Sequence, residues 1–126
     1  MQLKMTEVLA LNSIYNKIKN KTFSVKTTYK MSKLFSVITK EAEYYSTNLN
    51  ELVAKYAERD ENGAYVPAGK DGVQIKQEYI DTVQQQLNEL LNLDVDLPDI
   101  TFNLDELESG ELTVDDFNML MPFITE

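Results

Sequence analysis

The sequence predicts a helix-rich α+β fold, a single domain over residues 1–126 in which one long helix is packed by two shorter helices, with a small β-hairpin or sheet and a short C-terminal helix. Three observations predict it. Met31, Phe35, Ile38, Ala42, Tyr45, Leu49, Leu52 and Tyr56 follow one another at spacings of 4, 3, 4, 3, 4, 3 and 4, a heptad seam that only a helix keeps on one side. Two shorter stretches carry the same helical period. Between and after them, apolar and polar residues alternate beside glycine, proline and aspartate, which marks short strands and turns. A chain of 126 residues that is 43% hydrophobic and 26% charged suits one domain, large enough to bury roughly two thirds of its unfolded surface.

The elements follow in order. Thr6 and Glu7 read as an N-cap and a first-turn acid, and Val8, Leu11, Ile14, Tyr15 and Ile18 then give a helix over about residues 6–20. Phe23 and Val25 alternate with polar neighbours, so the linker reads as a short strand or an extended loop. The long helix covers about residues 28–59, roughly 45 Å at 1.5 Å per residue. At that length part of it projects from a compact domain or is covered by another chain. Asp60-Glu61-Asn62-Gly63 stops it, and Ala64-Tyr65-Val66-Pro67 and Val73-Gln74-Ile75 flank the turn-rich Ala68-Gly69-Lys70-Asp71-Gly72 as a hairpin or lobed loop. Tyr79, Ile80, Val83, Leu87, Leu90 and Leu91 mark a third helix over about residues 76–91, placed to pack on the long one. Leu93, Val95 and Leu97 alternate with Asp94 and Asp96 up to Pro98, and Ile100, Phe102 and Leu104 resume the alternation, giving strands with an acidic outer face. Thr113-Val114-Asp115-Asp116 has capping-box form and opens a short helix through Phe117 and Leu120 that Pro122 ends.

Charge is divided along the chain more sharply than hydropathy. Residues 77–126 hold thirteen acids and no base; residues 1–76 hold all twelve bases against eight acids, for net charges of -13 and +4. Either the two parts meet within one molecule, or one of them is meant for a charged partner. Zero cysteine and zero histidine remove thiolate chemistry, the commonest general base and the commonest transition-metal ligands. Carboxylate pairs such as Glu41 with Glu43 show nothing that would set their acidities apart, and Gly69-Lys70-Asp71-Gly72 lacks a phosphate-loop signature. The expectation is therefore no enzyme, no catalytic residue and no cofactor. Asp94 and Asp96, alternate strand residues on one face, could with Asp99 suggest a divalent-cation site, but the spacing does not fit a calcium loop and reads as a solvated strand face, so no metal is expected. No apolar run reaches the length of a membrane span, and the first residues lack a signal-peptide core, which points to the cytoplasm.

Three surface groups are the candidates for binding. Asp94, Asp96, Asp99, Glu106, Glu108, Glu111, Asp115 and Asp116 form an acidic surface that can imitate a phosphate backbone before a basic groove. Tyr44, Tyr45 and Tyr56 form an aromatic contact patch near the end of the long helix. Lys17, Lys19, Lys21, Lys26, Lys30 and Lys33 cluster around the end of the first helix and its linker with Tyr15, Phe23 and Tyr29 interleaved, and Lys17, Lys19 and Lys21 among them could hold a small nucleotide, against the reading that these lysines pair internally with the acidic half. Internal pairing is preferred, because a net charge of -9 repels nucleic acid at long range.

A lysine-rich first helix, a long helix ending Lys55-Tyr56-Ala57-Glu58-Arg59-Asp60-Glu61-Asn62-Gly63, a variable hairpin, Glu89-Leu90-Leu91-Asn92, an alternating acidic strand and a closing Leu120-Met121-Pro122-Phe123-Ile124 together resemble a family of short uncharacterised proteins encoded by tailed phages and prophages of Gram-positive bacteria. The resemblance covers nearly the whole chain, carries no catalytic signature, and implies a protein made inside an infected bacterium. The expected function is an acidic, non-enzymatic protein-binding module that inhibits or modulates a host nucleic-acid-handling or defence complex, with DNA mimicry as one route. The partner is a host or phage protein, without direct contact to nucleic acid or membrane. The alternatives are an assembly or virion-associated factor that self-associates into a homo-oligomer, and sequestration of a nucleotide signal.

Overall fold

The computed structural model describes residues 1–70 and 72–125. In chain order it contains β1 (Gln2–Lys4), α1 (Met5–Ile18), α2 (Val25–Tyr56), β2 (Pro67–Ala68), β3 (Gly72–Val73), α3 (Ile80–Leu91), β4 (Asp94–Asp96), β5 (Phe102–Asn103), α4 (Leu104–Leu107), α5 (Val114–Leu120) and β6 (Ile124–Thr125). The fold is helix-rich α+β, with one 32-residue helix and small two-stranded sheets. No helix among the described residues is long and apolar enough to cross a membrane.

The chain divides into two compact units, Met1–Ala42 with Leu93–Glu126, and Glu43–Asn92. The division falls inside α2, which contributes its first half to one unit and its second half to the other.

The first unit holds the larger core. Val8, Leu11, Ile14 and Ile18 of α1 are buried with Met31, Leu34, Phe35 and Ile38 of α2. Tyr15 stacks on Phe35 at 4.8 Å between ring centroids, offset from parallel by 16°, a favourable aromatic geometry. The C-terminal residues close this core from the far end of the sequence through Val95, Leu97, Phe102, Leu107, Leu120 and Phe123. β1 and β4 pair antiparallel with Gln2 opposite Asp96 and Lys4 opposite Asp94. β5 and β6 pair in parallel.

Several expectations shift. The strand β1 and the final strand β6 were not expected, since each is only two or three residues long and its partner is distant in sequence. Because the chain enters α1 directly from β1, the cap lies at Lys4 rather than Thr6: the Lys4 amide donates to Glu7 Oε1 at 3.1 Å. The linker is an extended loop, closed by Ser24, whose Oγ accepts the Thr27 amide at 3.2 Å and starts α2 three residues earlier than expected. The run through Phe102 and Leu104 is not one strand. Asn103 caps α4, accepting the Glu106 amide at 3.0 Å while its own amide donates to Glu106 Oε1 at 3.2 Å. The Thr113–Asp116 capping box is present as expected.

In the second unit, α2 ends at Tyr56 and the chain continues in extended form. Glu58 bonds to Gln74 and Val66, while β2 and β3 pair Pro67 with Val73 and Ala68 with Gly72. The expected flanks thus pair through Pro67 with Val73 and through the Gln74 amide donating to the Val66 carbonyl, and the pairing runs one step further toward the turn at Ala68 and Gly72; Asp71 of that turn is outside the described residues. Gly63 takes φ of +80° in the turn between Asp60 and Ala64, its amide donating to the Asp60 carbonyl; α2 has already ended at Tyr56, so Asp60–Gly63 makes this turn and not the helix stop expected. The Lys76 amide donates to the Tyr56 carbonyl at 3.0 Å, and Tyr79 lies 4.9 Å from Tyr56 between centroids, which fixes where the helical chain resumes before α3.

Candidate functional site

The charge division of the sequence disappears in the first unit. Residues 94–116 are brought against residues 1–30, and the ion pairs among the described residues all join these two segments. Lys4 Nζ lies 2.7 Å from Asp94, Lys17 Nζ 3.1 Å from Asp116, Lys21 Nζ 2.8 Å from Glu111 and Lys30 Nζ 2.9 Å from Glu106, while the Met1 ammonium is 3.2 Å from Asp99. By sequence the first unit carries eight bases and twelve acids, net -4, and the second four bases and nine acids, net -5. The strong polarity along the chain is thus an artefact of linear order. Lysines and carboxylates meet within one fold, as the preferred reading of the lysine cluster expected.

The most enclosed of these pairs is built around Glu106. Its side chain is 15% exposed and that of Lys30 25%. Lys30 Nζ donates to Glu106 Oε1 at 2.9 Å and Oε2 at 3.1 Å, and also to the Thr101 carbonyl at 2.9 Å. Thr27 Oγ1 donates to Glu106 Oε2 at 2.9 Å and accepts from Ser24 Oγ at 2.9 Å. The Lys30 hydrogen bond, with those of Asn103 and Thr27, outweighs partial burial and holds the Glu106 carboxyl at about 2, well below its ordinary 4.5. The first turn of α2 has no acid of its own. Glu106, arriving from α4, therefore supplies the negative charge that the amino end of a helix favours.

Asp116 is a second anchor. Its side chain is 8% exposed; burial pushes its pKa up, but hydrogen bonds from Thr113 and Lys17 overcome that and hold it below the usual carboxylate range. Thr113 and Asp116 also close the cap of α5, so the Lys17 pair ties a helix start to α1. Glu111 is held low by Lys21 and stands at φ of 53°, an uncommon conformation for a side-chain-bearing residue. The preceding Gly110 is buried, with the Phe23 ring 3.3 Å from where its Cβ would lie.

The expected sites separate accordingly. Of the acidic surface, Asp94, Asp99, Glu106, Glu111 and Asp116 are engaged in ion pairs, while Asp96, Glu108 and Asp115 are exposed and outside any ion pair among the described residues. Asp105, which sequence reasoning passed over, is in the same condition. Asp105, Glu106 and Glu108 line an open cleft of about 490 Å³ together with Thr22, Ser24 and Ser109, and Ser109 Oγ donates to the Thr22 carbonyl at 2.7 Å. Of the lysine cluster, Lys17 and Lys21 are paired, and Lys19 lines a small cleft of about 130 Å³ with Tyr15, Lys21 and Phe23. Of the tyrosines, Tyr44 is 53% exposed, Tyr45 is half-buried, and Tyr56 is half-buried against Tyr79.

No family model matches this chain, and no curated protein and no solved structure matches it either.

Proposed function

We propose that the protein is a non-enzymatic acidic binding module that recognises a basic surface on another protein, and that in the infected bacterium implied by the resemblance above it restrains a host nucleic-acid-handling or defence complex. One observation carries the reading. After internal pairing has engaged Asp94, Asp99, Glu106, Glu111 and Asp116, the first unit still presents Asp96, Asp105, Glu108 and Asp115 to solvent, two of them in a cleft rimmed by hydroxyls. Asp105 and Asp115 stand in the first turns of capped helices and Asp96 on β4, so their backbone positions are fixed, as those of phosphate groups are along a nucleic-acid strand. Lysine or arginine of a partner meets charge and hydrogen-bond acceptors there. The internal pairs serve this reading by holding α4 and α5 in place.

Head-to-tail self-association through opposite ends has less to work with, since the lysines it would use at positions 4, 17, 21 and 30 already face carboxylates of their own chain. The test is affinity capture from infected-host lysate with the wild-type chain and with Asp105→Asn, Glu108→Gln and Asp115→Asn combined. The expected outcome is a nucleic-acid-binding host protein held by the wild type, released by added DNA, and absent with the variant. Recovery of capsid and tail proteins alone, or equal capture by both chains, overturns the proposal.

A further inference from the structure

Asn62 is the one asparagine of the chain that glycine follows. That order matters chemically. The side-chain amide of an asparagine is open to attack by the backbone nitrogen of the next residue, and the attack is fastest where that residue has no side chain to crowd the closing five-membered ring. The turn after α2 gives Asn62 the surroundings this reaction needs. Residues 61–65 are all exposed, and the Asn62 side chain makes no hydrogen bond among the described residues. Its chain neighbours aside, no described residue lies within 4 Å of where a Cβ on Gly63 would stand.

The other asparagines are hindered. Asn12, Asn16, Asn48, Asn50, Asn88 and Asn118 lie inside helices, whose hydrogen bonds hold the backbone in place. Asn103 engages its side-chain oxygen in the cap of α4, and Asn92 Nδ2 donates to the Asn88 carbonyl at 2.8 Å. Gly63, by contrast, is held by one turn bond, its amide donating to the Asp60 carbonyl at 3.0 Å. A single exposed turn bond opens locally without global unfolding. Asp60 Oδ1 accepts the amides of Asn62 at 2.9 Å and Ala64 at 3.0 Å, which places a carboxylate next to the Gly63 nitrogen that must lose its proton.

We propose that Asn62 is a self-modification site, at which the folded chain converts its own Asn62–Gly63 link to aspartyl and isoaspartyl forms with water as the only co-reactant. The Gly63 nitrogen bonds to Asn62 Cγ, and the side-chain nitrogen leaves as ammonia, carrying the proton that Gly63 gives up. Water then opens the succinimide. Attack at Cγ breaks the bond just made and leaves an aspartyl residue; attack at the main-chain carbonyl of residue 62 breaks the original peptide bond and leaves Gly63 joined through the side chain. Either product adds a negative charge to a unit of net -5. The isoaspartyl link also lengthens the main chain by one carbon. It thereby displaces the Gly63 carbonyl from Arg59, whose guanidinium donates to that oxygen at 2.9 Å and lies 4.3 Å from the centre of the Tyr65 ring. The proposal does not depend on the carboxylates of the first unit.

The test keeps the full-length chain in mildly alkaline buffer for several days, digests it, and follows each asparagine-bearing peptide by mass spectrometry. Isoaspartate is detected separately, by methylation with an isoaspartyl methyltransferase. A synthetic peptide of residues 57–68 under the same conditions gives the rate without the fold. The Asn62 peptide should gain about 1 Da, at least about tenfold faster than a peptide bearing any other asparagine. Its rate in the folded chain should lie within about tenfold of that in the synthetic peptide, as a turn that opens locally requires. Asn62→Gln, which keeps an amide at an exposed position but must close a larger ring, should abolish methylation and leave the far-UV spectrum unchanged. Conversion more than about tenfold slower in the folded chain than in the synthetic peptide, faster conversion at another asparagine, or methylation that persists in Asn62→Gln overturns the proposal.

Discussion

Two regions made from the same long helix end in opposite conditions. Of the 18 hydrophobic residues buried among the described residues, 16 lie in Met1–Ala42 and Leu93–Glu126, and two, Leu52 and Ala57, lie in Glu43–Asn92. The first region buries its apolar side chains and matches its lysines to carboxylates from the far end of the chain. The second leaves an amphipathic helix only half-buried and carries nine acids against four bases, with no ion pair among its described residues. The difference teaches that a regular apolar stripe states a capacity for burial and nothing about whether the same chain supplies the cover.

The strongest way to break the comparison is to cut equivalent side chains from each region. Phe102→Ala, which empties a fully buried position in the first region, is expected to cost about 3–5 kcal/mol in urea unfolding followed by circular dichroism. Leu87→Ala, at a half-buried position, should cost about 1 kcal/mol. Similar losses at the two sites would erase the distinction drawn here.

The Lys30–Glu106 pair is the next target. Glu106→Gln should lower stability by about 2 kcal/mol, because it leaves a half-buried ammonium without its charged acceptor. Lys30→Met should act in the same direction, and the double variant should lose less than the sum, as a coupled pair requires. Additive losses would mean that the contact contributes nothing of its own.

Acid provides a related probe. The Glu106 carboxyl sits at about 2 in the folded chain against an ordinary 4.5, so its contribution is fully present above about 4.5 and is lost as pH falls from there toward 2. Asp116 and Glu111, also lowered, act with the same sign. Stability should therefore fall over that window more gently in Glu106→Gln than in the wild type. Identical acid profiles would show that these pairs do not govern the response.

The smallest effect concerns the turn before α5. Gly110→Ala places a methyl group 3.3 Å from the Phe23 ring, tight enough to cost about 1 kcal/mol if the ring cannot shift. A stabilised variant would show that the ring yields and that the gain in chain stiffness dominates.

Much of the fold could be read from local pattern, and what could not depended on distance along the chain. The seam from Met31 to Tyr56 and the Thr113 capping box are written within one or two helical turns, and both recur in the structure. Asn103-Leu104-Asp105-Glu106 carries a capping box of the same kind, but the alternation of Phe102 and Leu104 outweighed it, since period two and a single helical turn look alike over three residues. β1 escaped notice because three residues cannot declare a strand whose partner is some ninety residues away. The charge division was plain in the sequence, and pairing within one molecule was one of its two readings. Which lysine meets which carboxylate follows only from β4, α4 and α5 folding back on α1 and the start of α2. That α3 buries none of its residues fully was not legible at all, for its pattern is that of any helix with a complete core behind it.

Residue-resolved amide hydrogen exchange of the full-length chain tests the contrast between the two regions most directly. Amides of α1, the first half of α2 and α5 should exchange only through global unfolding, while those of α3 and the second half of α2 should open at a lower free energy. Equal protection in both regions without any partner, or the highest protection in α3, would contradict the account.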